Sequence, residues 1–195
     1  MDNLKKKEKI KGKYDSTSYF YDERYKEIQF EKYKKIIHKR DIKNKIILDA
    51  GCGTGLILEY FQKTPYSSDQ IDFKYVGVDI SIEMIMILKK KLKEMKVNTS
   101  RNLDLILADI ENLPFRMNTF SLLISFTSFQ NLPDMRRGIN QSIMTLRNKS
   151  LMFISILKKK FDKDTLISIL GKKVKVIKIV DEKGIEDFLI TAKKD

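Results

Sequence analysis

The chain has 195 residues, of which 42% are apolar, with 39 Lys or Arg against 26 Asp or Glu, one His and one Cys. That is enough apolar material for one packed core in a domain of ordinary size, and too much for a disordered chain. A single cysteine excludes an internal disulfide or a thiolate zinc cluster. No stretch nears the ~18 consecutive apolar residues of a membrane helix, and the lysine-rich start lacks the apolar block of a secretory signal, so a cytoplasmic setting without membrane contact is expected.

Residues 1–13 hold six lysines and few apolar groups, and are expected to be a flexible, solvated basic arm. From Tyr14 the composition changes: five of the eight tyrosines lie between Tyr14 and Tyr33. Tyr25, Ile28, Tyr33, Ile36 and Ile37 recur at helical spacing, which predicts an amphipathic helix over 24–39. After a polar break, strands and helices alternate. The run 45–50 (KIILDA) is almost wholly apolar and ends at a glycine-rich turn, as a strand buried on both faces does. A helix follows at 56–62, a loop at 63–72 and a second strand at 74–79. Ser81 is placed to cap a helix over 82–95, with Ile82, Ile85, Met86 and Leu88–Leu92 turned inward.

Third and fourth strands are expected at 103–108 and 120–126, a helix at 134–147 and a fifth strand at 151–157. A helix at 161–170 has Gly171 to stop it, and strands at 174–180 and 188–192 read as a hairpin. The implied fold is α/β: a doubly wound, seven-stranded, mostly parallel sheet with a C-terminal antiparallel hairpin strand. Such sheets bind ligands beyond the carboxyl ends of the strands, where the strand order reverses.

The net charge of +13 is uneven: residues 1–40 carry +6 and residues 151–195 carry +4. Two readings stand: a nucleic-acid footprint, or a general abundance of lysine from codon bias or heat adaptation.

Chemistry concentrates in ILDAGCGTG at 47–55, where Gly51, Gly53 and Gly55 fall at a strand-to-helix turn. Missing Cβ atoms let a ligand press on the main chain. A dinucleotide turn needs its third glycine at position 56, which is Leu56, and the lysine-bearing phosphate loop is absent. With Asp49 just upstream, the turn suits a ligand that is cationic there and has no pyrophosphate.

This block resembles the first motif of the class I S-adenosylmethionine-dependent methyltransferases, and the likeness extends over residues 14–193. It implies that Gly51, Cys52 and Gly53 form the cofactor turn and that Asp79, ending the second strand, accepts from both ribose hydroxyls. Ile80 then packs on the adenine, Asp109 accepts from the adenine amine and Ile110 covers the other side of the ring. Ser125, in the fourth strand, joins the implied site. Asp134 matches an acidic position usual in the family. Asp49 is either a cofactor contact, direct or through water, or a structural group of the turn.

The YD…YD pattern at Tyr14-Asp15 and Tyr21-Asp22 resembles a lid segment, making 14–195 the methyltransferase domain and 14–40 its helical lid. Tyr14 or Tyr21 closes over the cofactor, or the tyrosines are an aromatic packing cluster. Cys52 is read as a small buried side chain and the lone His38 as a surface residue.

No metal is implied. Gln130-Asn131 stands where many relatives carry histidine, and NLPD at 131–134 departs from the NPPY-type motif of amide and amine methylases. The implied activity is methyl transfer from S-adenosyl-L-methionine to an acceptor that needs no protein base, with RNA or an RNA-associated acceptor favoured over a small metabolite by the basic ends. The alternative is a cofactor-binding or pseudo-enzyme subunit. Its apolar third strand, at the sheet edge, would pair with a small activator subunit.

Overall fold

A computed structural model describes residues 2–63, 73–95, 102–171 and 174–195. The strands are β1 (Ile46–Ala50), β2 (Lys74–Asp79), β3 (Leu103–Leu107), β4 (Phe120–Phe126), β5 (Leu146–Leu157), β6 (Val174–Val180) and β7 (Asp187–Lys194). They form one sheet in the order β3-β2-β1-β4-β5-β7-β6. β7 runs antiparallel to both β5 and β6, and the other pairings are parallel. The doubly wound sheet with one antiparallel strand is therefore as the alternation of elements implied. The order reverses between β1 and β4, which brings their carboxyl ends together beside those of β2 and β3.

The helices are α1 (Asp2–Ile36), a single turn α2 (Lys39–Ile42), α3 (Leu56–Lys63), α4 (Ile82–Glu94), α5 (Met135–Thr145) and α6 (Lys163–Leu170). Two apolar layers flank the sheet. Leu48, Ala50, Leu123 and Met152 pack against α5 and α6 residues such as Ile139, Ile143 and Leu166. Ile47, Leu122, Ile124 and Phe153 pack against Tyr33, Ile37, Leu56, Phe61 and Leu88 on the other face. Alternate residues of one strand thus serve opposite layers, as a strand covered on both faces requires.

Four expectations need correction. Residues 2–13 are not a frayed arm but the first turns of α1, which continues without a break to Ile36. They are held from outside the helix, by ion pairs from Lys7 to Asp109 and Glu111. The inward face of α4 is Met84, Ile85, Leu88 and Leu92; Ile82 and Met86 are exposed, Met86 at 55%. Apolar residues occur on both faces of that helix, so periodicity alone misassigned two of them. α5 ends at Thr145 rather than 147, and β5 starts at Leu146 rather than 151. Leu146 is fully buried in extended backbone and pairs with Phe120, so burial of one side chain pulls the chain into the sheet early. The loop expected over 63–72 lies, from residue 64 on, outside the described residues.

Candidate functional site

The turn after β1 and the end of β2 are tied together by backbone: the N–H groups of Gly51 and Cys52 both donate to the Val78 carbonyl, at 2.8 and 3.0 Å. Gly51 has φ +86°, and a Cβ there would sit 2.0 Å from Ser128 Oγ, so the turn can lie against the loop after β4 only as glycine. Gly53, at φ +52°, is also in the left-handed region that glycine adopts freely, but a Cβ there would face open space. Asp79 closes the turn from the side. One carboxylate oxygen accepts from Gly53 N and the other from Ser81 N, both at 2.9 Å. Burial raises its pKa against the pull of those amides.

Above these strand ends lies a cavity open to solvent. Eight of the eleven residues singled out from sequence line it: Tyr14, Tyr21, Gly51, Gly53, Asp79, Ile80, Asp109 and Ile110. Asp49 and Cys52 line a smaller adjoining cavity that shares Tyr21, Gly51, Gly53 and Phe126 with the first. Ser125 lines neither. It is fully buried and donates to the Ala50 carbonyl at 2.8 Å, which pins β4 to the end of β1.

Asp49 is buried and accepts from the Tyr75 hydroxyl at 2.6 Å. Burial pushes its pKa to about 7, against the Tyr75 bond and helped by the nearby Asp79. Cys52 is buried and its thiol is raised by the same burial, so it is not an activated nucleophile. Asp134 lies outside both cavities: it caps α5 by accepting from Arg137 N at 2.9 Å. His38 is exposed, and its backbone N–H donates to Asp41.

Helix α1 roofs the cavity. Lys7, Ile10, Tyr14 and Tyr21 line it from one side of the helix. Tyr14 and Tyr21 meet edge to face at 6.5 Å, so the aromatic cluster and the roof are one feature. Asn131 Nδ2 donates to the Tyr14 hydroxyl at 2.8 Å. Burial, with Asp79 nearby, pushes that phenol up to about 12, so it stays protonated at neutral pH. Its own hydrogen has no acceptor among the described residues and is free to donate into the cavity. Asp109 is more occupied. It accepts from Glu111 N at 2.8 Å, from Asn112 at 3.0 Å and from Lys7 at 2.6 Å. Partial burial would raise its pKa, but these partners, Lys7 first, hold it below the usual range.

The sequence reading missed Lys7, Ile10, Met84, Phe126, Thr127, Ser128, Leu132 and Pro133 on the cavity wall. One signal was available: the residues after a strand end at a switch point, here 127–133, face the ligand space by topology. Nothing local marked Lys7, whose role depends on where α1 crosses the sheet. Among the described residues no cluster of His, Cys, Asp and Glu can hold a metal, and no helix is long and apolar enough to cross a membrane.

Residues 47–149 match the model of the methyltransferase domain family. The chain belongs to this family. Family and fold together make it a class I S-adenosylmethionine-dependent methyltransferase domain. It is similar to a demethylmenaquinone methyltransferase of Staphylococcus saprophyticus, 29% identical over 138 residues that cover 68% of this chain and 55% of that one. It spans about half the length of the curated relatives it matches. Its fold is similar to that of a SAM-dependent methyltransferase from Aquifex aeolicus, with a TM-score of 0.75 at 18% identity, covering 93% of this chain and 98% of the other. It is also similar to a chain from the complex between the Haloferax volcanii Trm112 methyltransferase activator and a methyltransferase. There the TM-score is 0.74 at 11% identity, and 95% and 96% of the two chains are covered.

Proposed function

We propose that the switch-point cavity binds S-adenosyl-L-methionine and that the protein transfers its methyl group to RNA or an RNA-associated acceptor. The observation that carries the cofactor assignment is the meeting of Gly53 and Asp79 at one cavity. A bare backbone faces open space, beside a half-buried carboxylate whose two oxygens accept from Gly53 N and Ser81 N and also face the cavity. Two adjacent hydroxyls on a sugar match that pair of acceptors. Ile80 and Ile110 supply apolar walls for the adenine, and Asp109 shares its acceptor oxygens between Lys7 and the adenine amine. Asp49 and Tyr21, at the adjoining cavity, suit the cationic methionine end.

When bound, the cofactor supplies a methyl group made electrophilic by its own sulfonium, for direct displacement. The protein's part is then alignment and exclusion of water, which can lower a barrier by several kcal/mol. Helix α1 is the element that covers the site. The Tyr14 hydroxyl, protonated at neutral pH, is a positioning donor rather than a base. Around the loop after β4 the cavity side chains are Thr127, Ser128 and Asn131, none of them a ready base, so the acceptor atom is one that is nucleophilic without help.

The basic ends of the chain favour RNA. The relative named for demethylmenaquinone makes a small metabolite the rival acceptor. Turnover of radiolabelled cofactor with total RNA, against a metabolite extract, separates them. Transfer to RNA that weakens steeply with salt is expected. Transfer to the extract alone overturns the RNA reading.

A second reading treats the protein as a subunit that needs a partner. It is favoured by β3, an apolar strand at the sheet edge whose Leu107 is half-exposed, and by the similarity to a chain from a complex with an activator. Turnover by the purified chain alone counts against it. Turnover that appears only on adding a small activator protein supports it.

A further inference from the structure

Two adjacent stripes of α1, each repeating every seven residues, behave differently. Lys7, Tyr14 and Tyr21 line the cavity. Lys6, Lys13 and Phe20, one residue earlier in each case, are exposed beside it, Phe20 at 70%. Ile10 lines the wall between Lys6 and Lys13. Across the mouth, Lys160 donates to the Gln130 carbonyl at 2.9 Å and lies 3.4 Å from Asn131 Oδ1, while Asn131 holds the Tyr14 hydroxyl. Lys13 in turn sits 5.7 Å from the centre of the Tyr14 ring. A continuous chain of contacts therefore joins the two lysine groups over the cavity. Lys159 stands next to Lys160, exposed.

None of these four lysines has a carboxylate within ion-pair distance among the described residues, although Lys7 and Lys158 beside them do. The four are close enough to repel: Lys160 loses its proton more readily than usual, through partial burial and then through Lys13, Lys159 and Lys6. Exposed amines without carboxylate partners along one rim set up a local positive potential that draws anions to the cavity mouth.

We propose that Lys6, Lys13, Lys159 and Lys160 form a phosphate-binding rim that lays a single RNA strand across the cavity mouth, with Phe20 as a stacking platform for one of its bases. The reading rests on the RNA acceptor proposed above and names where that acceptor is held. Lys6 and Lys13 are two helical turns apart, about 10 Å along the axis, which is more than one phosphate can bridge and suits two phosphates of one strand. An exposed aromatic in line with basic groups is the arrangement that sequence-tolerant strand binding uses.

The test is fluorescence anisotropy with a labelled single-stranded RNA 20-mer across a salt series, with uridine monophosphate as competitor. Three proteins are compared: the unmodified chain, the combined variant Lys6→Ala, Lys13→Ala, Lys159→Ala, Lys160→Ala, and a control with Lys89→Ala, Lys93→Ala, Lys175→Ala, Lys178→Ala. Calorimetry with S-adenosyl-L-methionine runs on each, so that loss of the cofactor site is read separately from loss of the rim. The rim variant is expected to bind RNA at least about tenfold more weakly and to lose about 0.7 of log–log salt slope per lysine removed. It should keep its cofactor affinity. The control should stay within about threefold of the unmodified chain, Phe20→Ala should lose about fivefold, and the monophosphate should compete poorly. Equal losses in the rim and control variants, or an unmodified chain that binds cofactor but no RNA, overturn the proposal. So does a monophosphate that competes as well as the strand, since the rim then serves a small anion.

Discussion

The strand ends on the two sides of the switch point differ in charge. On the β1–β3 side stand Asp49, Asp79 and Asp109, set against bare glycine backbone. On the β4–β5 side stand Thr127, Ser128 and Asn131, with Lys160 on Asn131 and Lys159 next to it. One cavity thus has an acidic half that suits a cationic cofactor and a neutral-to-basic half that suits an anionic acceptor. The difference also separates two kinds of information. The acidic half is built from short motifs, whereas the basic half depends on how a helix and a loop distant in sequence come together.

The largest expected effect falls on the acidic half. If Asp79 holds the ribose as proposed, Asp79→Ala removes two charge-assisted bonds and should weaken cofactor binding by about 2–4 kcal/mol, roughly 30- to 1,000-fold by calorimetry. It also strips the acceptors of Gly53 N and Ser81 N, so a lowered melting temperature accompanies it. Gly53→Ala comes next. Nothing lies within 4 Å of the new Cβ, so the fold loses only the left-handed backbone penalty, about 1–2 kcal/mol. The methyl projects into the cavity, and cofactor affinity should drop about tenfold while RNA binding at the basic half is unchanged. A Gly53→Ala protein with full cofactor affinity would show that the turn does not touch the ligand.

The acidic half should also carry a pH signature. Burial raises Asp49 to about 7 in the folded protein, from the ordinary carboxylate value of about 3.9. The folded state therefore holds a proton that the unfolded state releases, and this contribution is full below about pH 4 and is lost as pH rises to 7, at about 1.4 kcal/mol per unit. Asp49→Asn keeps an acceptor for Tyr75 and should flatten that slope relative to the unmodified chain, measured by denaturant midpoints at pH 4.5 and 6.5. If a cation seats beside Asp49, cofactor binding at pH 6 should release protons, seen in calorimetry with two buffers of different ionisation heat. Equal slopes in the two proteins would place Asp49 outside this role. The smallest effect on cofactor binding belongs to Lys7→Ala, which breaks the roof's contact with Asp109 and Glu111. It leaves the buried Glu111 carboxylate without its cation, so it should lower stability by roughly 1–3 kcal/mol, while raising cofactor affinity only slightly, because Asp109 regains an acceptor.

Much of the fold was legible because buried parallel strands are nearly all apolar and end at turns. The second and fourth strands, at 74–79 and 120–126, were read to the residue for that reason. The glycine turn was legible because a strand-to-helix turn packed against a neighbouring loop demands missing side chains, as at Gly51, where a Cβ would meet Ser128 Oγ at 2.0 Å. The long run of α1 was not. Its first two-thirds carry no apolar stripe, since they are held by Lys7, Tyr14, Asp15, Asp22 and Lys26 reaching partners on five distant segments. Such polar contacts leave no apolar period in the sequence. Ser125 was placed in the site by resemblance, and only the tertiary structure shows its hydroxyl committed to the Ala50 carbonyl.

The most direct measurement is calorimetric titration of S-adenosyl-L-methionine into the unmodified chain and into Asp79→Ala. One saturable site in the first, weakened at least about 30-fold in the second, is the expected result. No binding to the unmodified chain, or equal affinity in both, contradicts the assignment of the switch-point cavity as the cofactor site.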